Sequence, residues 1–407
     1  MLIHAATDHD VHPPLFGGPQ RTFGLLRGLA RRHEVEVLCL VPNRSRAPRE
    51  ERVAGLRILR RKAWYTSAVW RLEQARLAPM FLAAAGHAAA ADGLAREFTR
   101  PAAAVLADLN LSGLFRADPA PLRVYTAHNV ELDHFRTAGA EVAWRGFWSA
   151  RLRALEARAV ERAGLTVVCG DEDAARMREL YGARDGALVV IPNGFDETAV
   201  RPPSPEERAR ARAALDLAAR EYVALFVGSD VPHNRAALAC LVDRVLPPLA
   251  GEGFRLLVAG SVTRLLAGRR EPWLRAWPET PDLAPVLHAA DAGLNPVTAG
   301  GGSNVKLPTY LAAGLAVLST SFGLRGFASL GPWVAVEGRE GFTEALRARP
   351  AGWLARGLPM PVEVADHAWG RLGERLGEAL EEKCGGGGIH AARGSLAAAA
   401  AERAGAS

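Results

Sequence analysis

The sequence predicts an α/β chain made of two parallel-sheet halves, and three observations carry that prediction. The chain has 407 residues, more than a single domain of roughly 150 residues needs, and either half could bury its own core. Short apolar runs alternate with longer Ala/Leu/Arg stretches of helical period, the pattern of βα units around parallel sheets. A turn, Pro192-Asn193-Gly194, followed by Arg201-Pro202-Pro203-Ser204-Pro205, divides the chain into halves of similar size.

In chain order, the first half carries strand candidates at Met1–Ala5, Val35–Val41, Ala102–Ala107, Val124–Ala127, Leu165–Cys169 and Leu188–Ile191. Helical patterns follow several of them. Arg21–Arg32 brings Phe23, Leu25, Leu26 and Leu29 to one face, and Val142–Arg162 repeats the pattern. A charged helix then leads to strand candidates at Tyr222–Val227, Arg255–Ala259, Ala292–Pro296 and Ala316–Thr320, with a helix over Ala236–Ala250. After Lys383 the chain runs into Cys-Gly-Gly-Gly-Gly and an Ala-rich end, read as a flexible linker and a frayed helix without chemistry.

Composition narrows the class. A hydrophobic fraction of 49% with 23% charged residues excludes a disordered chain, a collagen and a polytopic membrane protein. The net charge of +6 is a mild excess and is almost wholly arginine, because lysine occurs only at Lys62, Lys306 and Lys383. Codon bias explains most of that arginine; a surface that meets phosphates explains the rest. Cys39, Cys169, Cys240 and Cys384 have no pairing or metal spacing, which points to a reducing compartment. Met1 leads into an apolar run without a charged n-region or cleavage site, so no secretory signal is expected. Leu77–Ala91 is mostly alanine with His87 and falls short of the ~20 apolar residues of a spanning helix. The expected place is the cytosol, with the chain able to rest on a membrane.

Five segments carry chemistry. Pro13-Pro14-Leu15-Phe16-Gly17-Gly18-Pro19-Gln20-Arg21 joins the first strand to the first long helix. Its paired glycines allow close backbone approach, the helix start offers N–H groups to an anion, and Arg21 could add a bidentate phosphate contact; read alone, it is also an ordinary Pro/Gly turn. Thr126-Ala127-His128-Asn129-Val130-Glu131 directly follows a strand, where ligands bind in open α/β sheets. His128 and Asn129 could bond sugar hydroxyls there or stabilise a leaving group, or His128 could simply cap the next helix. Val190-Ile191-Pro192-Asn193-Gly194-Phe195-Asp196 reads as a linker with a tight turn. Val227-Gly228-Ser229-Asp230-Val231-Pro232-His233-Asn234-Arg235 offers Gly228, Ser229 and Arg235 to a phosphate. The richest segment runs from Thr298 through Gly300-Gly301-Gly302-Ser303-Asn304-Val305-Lys306 to Thr309-Tyr310-Leu311-Ala312-Ala313-Gly314. Its glycines expose amides to a diphosphate, and Lys306 adds a point charge. Neither first-strand turn has the GxGxxG spacing of a dinucleotide enzyme.

The order of the Gly-Gly loop, Ala-His-Asn-Val-Glu, Val168-Cys169-Gly170-Asp171-Glu172-Asp173, Ile-Pro-Asn-Gly, the Gly-rich loop before Lys-x-x-x-Tyr-Leu-Ala-Ala-Gly and a terminal Ala368-Trp369 helix resembles glycosyltransferase family 4 over roughly residues 1 to 383. The resemblance implies a GT-B fold: α/β, two Rossmann-like parallel-sheet domains facing across a cleft, with a C-terminal helix crossing back to the first domain. It implies residues 1–195 as an acceptor-binding domain, 196–366 as a nucleotide-sugar-binding domain, 367–384 as the crossover helix and 385–407 as a tail. It further implies transfer of a sugar from a nucleotide-diphosphate-sugar, with retention and without a metal or cofactor, to a glycan or lipid-linked acceptor in cell-surface polysaccharide or glycoconjugate synthesis.

Carried over by position, Gly17, Gly18, Arg21, Gly228, Ser229, Arg235, Gly301, Gly302, Ser303, Asn304, Val305 and Thr309 bind donor. His128 and Lys306 are catalytic, Lys306 by holding the leaving diphosphate, and Asn129 and Glu131 lie on the acceptor side. One departure stands out. The family usually has a glutamate at the position of Thr309 to bind the ribose, and often another at Gly301; losing that acceptor costs about 1 kcal/mol or more. A degenerate, non-catalytic sugar-nucleotide or glycan-binding protein of the same fold is therefore the alternative.

The segments Leu56–Phe81 and Val142–Arg162 mix arginines with Trp64, Tyr65, Trp70, Trp144, Phe147 and Trp148, which suits an anionic membrane surface or an amphipathic core helix with a solvated arginine face. A nucleic-acid partner is not expected, since no basic-aromatic module accompanies the small charge excess. An epimerase of similar fold ranks below the transferase, because the loops lack separate acid and base carboxylates.

Overall fold

The structure, a computed structural model, describes residues 1–138, 141–280, 282–300 and 303–385. The first half builds eight strands: β1 (Leu2–Thr7), β2 (Glu34–Val41), β3 (Glu50–Val53), β4 (Leu56–Lys62), β5 (Ala104–Ala107), β6 (Leu122–Thr126), β7 (Leu165–Val168) and β8 (Leu188–Val190). They join in the order β3-β4-β2-β1-β5-β6-β7-β8, parallel throughout except for the antiparallel β3–β4 pair. The second half builds β9 (Tyr222–Val227), β10 (Phe254–Ala259), β11 (Leu274–Trp277), β12 (Ala292–Asn295), β13 (Ala316–Ser319) and β14 (Val334–Val336). Their order is β11-β10-β9-β12-β13-β14, with every pair parallel. Strands such as β2 are buried at every position after Glu34, because helices cover both faces of a parallel sheet.

Ten strands fall where the apolar runs predict them, β9 end to end and the rest within two residues at either end. Four were not expected: β3, β4, β11 and β14. The β3–β4 hairpin turns on Ala54 and Gly55, both at positive φ (51° and 82°). Such a turn favours Asn-Gly or Gly-Gly, and alanine gives little sign of it. This hairpin also corrects the reading of Leu56–Phe81 as one amphipathic stretch: it holds β4 and a separate helix, Trp64–Gln74. Three of its arginines are committed to carboxylates, Arg57 to Glu36 and Glu50, Arg60 to Asp10 and Glu51, and Arg61 to Glu97.

The first helix, α1, spans Gly17–Leu29, so the paired glycines form its first turn rather than a loop before it. The helix expected over Ala236–Ala250 is instead Pro232–Cys240 followed by a wider turn at Leu241–Val245, and Pro247-Pro248 then ends it. The helix expected over Val142–Arg162 begins at Arg145, after Trp144 in a left-handed conformation.

Past the second sheet the chain returns. Phe195 and Ala368 form a bridge, and the helix over 369–385 lays Trp369, Leu372, Leu376 and Leu380 into the same core as Ile3, Leu26 and Val35. Close approach requires the glycines there: a Cβ on Gly28 would sit 2.6 Å from the Trp369 carbonyl oxygen, and one on Gly373 2.5 Å from the Gly28 Cα. The crossover to the first domain is thereby fastened to α1, whose other end opens on the cleft. No helix among the described residues is long and apolar enough to cross a membrane.

Candidate functional site

Two cavities meet where the carboxyl ends of the sheets face each other. In each sheet the chain reverses its winding direction beside the first strand, at β1/β5 and at β9/β12, and such switch points open a crevice for ligands. The first-domain cavity is about 530 Å³ and the second-domain cavity about 250 Å³. Gly17, Ser303 and Val305 line both.

The first cavity follows from adjacency of β1, β5 and β6. Asp8 and His9 follow β1, Asp108 and Asn110 follow β5, and His128, Asn129 and Glu131 follow β6. Asn110 Nδ2 donates to Asp8 Oδ2 at 2.6 Å, and the Asp8 amide donates to Asp108 Oδ2 at 3.2 Å. Burial opposes the Asp8 charge, yet His9 and Asn110 hold its carboxyl below the ordinary value. Burial, then the charge of Asp8, pushes Asp108 up to about 7. Glu131 accepts from Asn129 Nδ2 at 3.0 Å and is pushed up to about 8 by burial and by the charge of Glu156. Glu156 is itself fully buried and accepts from the amides of Glu131 and Leu132, which fixes the start of the helix Glu131–Ala138. Burial drives His128 down to about 3, helped by His9 and Arg21, so its imidazole is neutral at pH 7.

The second cavity lies at the ends of β10, β9, β12 and β13 and is lined by Gly228, Ser229, His233, Asn234, Asn304 and Lys306. Lys306 Nζ donates to Asn234 Oδ1 at 2.9 Å and sits 4.7 Å from the centre of the Phe226 ring. Burial lowers its pKa from 10.5 to about 7. Asn234 Nδ2 in turn donates to the Ser229 carbonyl at 3.0 Å. Among the described residues, the buried Ser303 Oγ and His233 Nδ1 have no hydrogen-bond partner, which leaves them available to a ligand. Burial and Lys306 push His233 down to about 4.

Most of the residues expected from sequence thus line one cavity or the other, but three do not serve as expected. Arg21 is 3% exposed, and its guanidinium donates to the Ile191 and Pro192 carbonyls and to Asn193 Oδ1, at 2.8, 3.1 and 3.1 Å. It clasps the interdomain turn rather than a phosphate. Arg235 points to Asp230, Nε to Oδ1 2.6 Å, and does not line the cavity. The Thr309 hydroxyl donates to the Val305 carbonyl at 3.0 Å, one turn back in its own helix, and also lies off the cavity wall. Gly301 and Gly302 lie outside the described residues. The Ile-Pro-Asn-Gly turn, expected only as a linker, reaches across the cleft: Asn193 Nδ2 donates to the Ser303 carbonyl at 2.7 Å.

Sequence reasoning missed Asp8, His9, Asp108, Asn110 and His233. The available signal was position, since the first four sit directly beyond strand ends. Asp8, His9 and Asp108 bring two carboxylates and an imidazole within 4.8 Å of one another, a grouping that could hold a cation. They line the first cavity and not the one with Lys306.

Residues 17–199 match Glycosyltransferase Family 4, and residues 221–348 match Glycosyl transferases group 1. A D-inositol 3-phosphate glycosyltransferase of Nocardiopsis dassonvillei is 36% identical over 215 residues, 50% of this chain and 44% of that protein; the match therefore spans less than half of the relative. Sucrose-phosphate synthase from Thermosynechococcus elongatus has the same fold, with a TM-score of 0.64 at 16% identity, covering 98% of this chain and 99% of that one. Anabaena HepE in complex with UDP and glucose gives 0.64 at 13% identity, over 94% and 100% of the two chains.

Proposed function

The chain belongs to the GT-B-fold glycosyltransferases, family 4 over its first half and group 1 over its second, and on that footing we propose that it transfers a sugar, with retention, from a nucleotide-diphosphate-sugar to a glycan or lipid-linked acceptor. The observation that carries this reading is Lys306, a half-buried amine in the second cavity, at a border that Gly17, Ser303 and Val305 share with an acid-lined cavity. The diphosphate would lie against Lys306, Ser229, Ser303 and Asn304, with the Gly17 and Gly18 amides at the start of α1 closing over it. The donor would be the only co-substrate besides the acceptor, with no further cofactor.

In the proposed step the bond between the anomeric carbon and the diphosphate oxygen breaks, and the acceptor oxygen bonds to that carbon from the same face. The acceptor's proton passes to the departing diphosphate. Charge grows on the leaving group as the bond lengthens, and a cation already in place stabilises it without reorganisation. Lys306 supplies that charge, so the reaction needs no metal. His128, neutral, would bond a hydroxyl of the transferred sugar.

A second reading keeps the fold without catalysis, and it is favoured by the Thr309 hydroxyl being spent on Val305. A thermal-shift panel of nucleoside diphosphates and nucleotide-sugars in EDTA, followed by mass spectrometry of the stabilising donor with acceptors, separates the two. Stabilisation with sugar transfer or hydrolysis is expected. Stabilisation without turnover favours a nucleotide-sugar-binding protein, and silence toward every nucleotide sinks the transferase and leaves the glycan-binding protein. We also propose a cytoplasmic protein that rests on anionic membrane through its first domain, where Trp64, Trp70, Trp144 and Phe147 are 70%, 50%, 72% and 53% exposed.

A further inference from the structure

We propose that Asn193 is a positioning residue for the transfer: its side-chain amide, set by Arg21, holds the Ser303–Asn304 peptide so that the Asn304 N–H faces the leaving diphosphate. This rests on the glycosyl-transfer reading and adds to it a residue that acts through another. Asn193 belongs to the turn between the halves and is 5% exposed, while Arg21 lies in the second turn of α1 and is equally buried. Arginine only donates, so the Asn193 Oδ1 must face Arg21, 3.1 Å from its guanidinium, and Nδ2 must face elsewhere. Nδ2 donates to the Ser303 carbonyl at 2.7 Å. Two further Arg21 bonds, to the Ile191 and Pro192 carbonyls at 2.8 and 3.1 Å, hold the backbone that leads to Asn193. The two side-chain contacts ask for an acceptor and a donor on one short side chain, which a carboxamide supplies.

A trans peptide is planar, and its C=O and N–H point in opposite directions. Fixing the Ser303 carbonyl on Asn193 therefore turns the Asn304 N–H away from the linker. Asn304 lines the Lys306 cavity, and its own side chain is pinned where Nδ2 donates to Asn295 Oδ1 at 2.8 Å. Its backbone amide has no hydrogen-bond partner among the described residues. Ser303 also packs on Gly326, where a Cβ would come within 2.7 Å of the Ser303 Cβ. Both ends of the peptide are thus held. One preorganised donor is left for the charge that grows on the diphosphate as the glycosidic bond breaks. The same Arg21 sits on α1, whose first-turn amides approach the diphosphate from the other domain, so one clasp sets both sides of the site.

Asn193→Asp is the test. Its carboxylate still accepts from Arg21 but sets an oxygen, in place of the donor, against the Ser303 carbonyl. Titration calorimetry uses the nucleoside diphosphate that stabilises the native protein in the thermal-shift panel, and mass spectrometry follows turnover of the matching nucleotide-sugar. Asn193→Asp should keep a cooperative melting transition, raise Kd about tenfold or more and lower kcat/KM for the donor at least about tenfold. Asp196→Asn weakens the hold of the same linker on Arg27 without touching the loop, and should leave both quantities within about threefold of native. A native Kd or a native kcat/KM in Asn193→Asp would overturn the inference. An equal loss in Asp196→Asn would overturn it too, by reducing Asn193 to a tie between the halves. If Asn193→Asp does not fold, Asn193→Ala is read in the same way, and failure of both to fold would make Asn193 a folding residue and end the proposal. A native protein that binds no nucleoside diphosphate would instead remove the transferase reading beneath it, and one that binds without turnover leaves the Kd comparison to decide.

Discussion

Lys306 stands where burial and function pull in opposite directions. Its ordinary pKa of 10.5 falls to about 7 because the cavity desolvates the ammonium. A bound diphosphate favours the ammonium and raises the pKa again, so binding above pH 7 takes up a proton. The sign follows: affinity is greatest below pH 7, where the free protein already carries the charge, and weakens as pH rises above it. Titration calorimetry with a nucleotide-sugar, whose diphosphate does not titrate in this range, should show Kd rising by about tenfold or more from pH 6.5 to 9. Lys306→Ala should flatten that dependence and lower turnover at least about tenfold. A pH-independent Kd in the native protein, or full turnover in the variant, would contradict the assignment.

At the same scale, what the sequence revealed was uneven for a physical reason. Lys306 stood out because lysine is scarce in this chain. Arg21, Arg235 and Thr309 were assigned to donor from residue type and place, but a side chain's partner is not written beside it. The acceptors of Arg21 lie about 170 residues away in the turn at Ile191–Asn193. Asp8 and Asp108 looked like ordinary loop acids; they matter because β1 and β5 are neighbours in the sheet.

Among elements, the strands with continuous apolar runs were legible, the three-residue edge strand β8 included, and the edge pieces β3, β11 and β14 and the arginine-rich β4 were not. β3 reads Glu-Glu-Arg-Val and β14 has only three residues, so neither carries a period to detect. Two helices that pack on the first-domain core through other side chains also carry exposed apolar surface. Trp64 and Trp70 lie on the helix Trp64–Gln74, while Trp144 and Phe147 open the helix Arg145–Arg162, and the Ala143 amide donates to the Arg76 carbonyl at 2.7 Å to tie the two segments together. The exposed Arg71, Arg151 and Arg153 accompany them. Aromatic rings flanked by arginine suit an anionic lipid surface. The protein should float with phosphatidylglycerol-containing vesicles and not with pure phosphatidylcholine, and high salt should release it. Trp144→Ser with Phe147→Ser should cut flotation at least about threefold. Equal flotation with both lipids, or none, would remove the membrane from the picture.

Across the whole molecule, two sheets of the same winding face each other, and the chain passes between them twice, at Asn193-Gly194 and again at Ala368. Arg27 pairs with Asp196 at 2.8 Å and with Glu197 at 3.2 Å, which anchors the linker to α1. The two-domain division was legible from length and alternation. The division of labour between the halves is what the family resemblance implies; which loop residues line each cavity was not legible, because it depends on which loops the strand order gathers. The central claim of the proposed function is that nucleotide belongs to the second domain and acceptor to the first. Hydrogen–deuterium exchange with and without the nucleoside diphosphate selected by the thermal-shift panel tests this directly. Slowed exchange is expected in 15–20, 227–235, 259–262, 297–300 and 303–306, the segments around the Lys306 cavity. Protection confined to 8–10, 108–111 and 128–131, or no protection at saturating nucleotide, would contradict it.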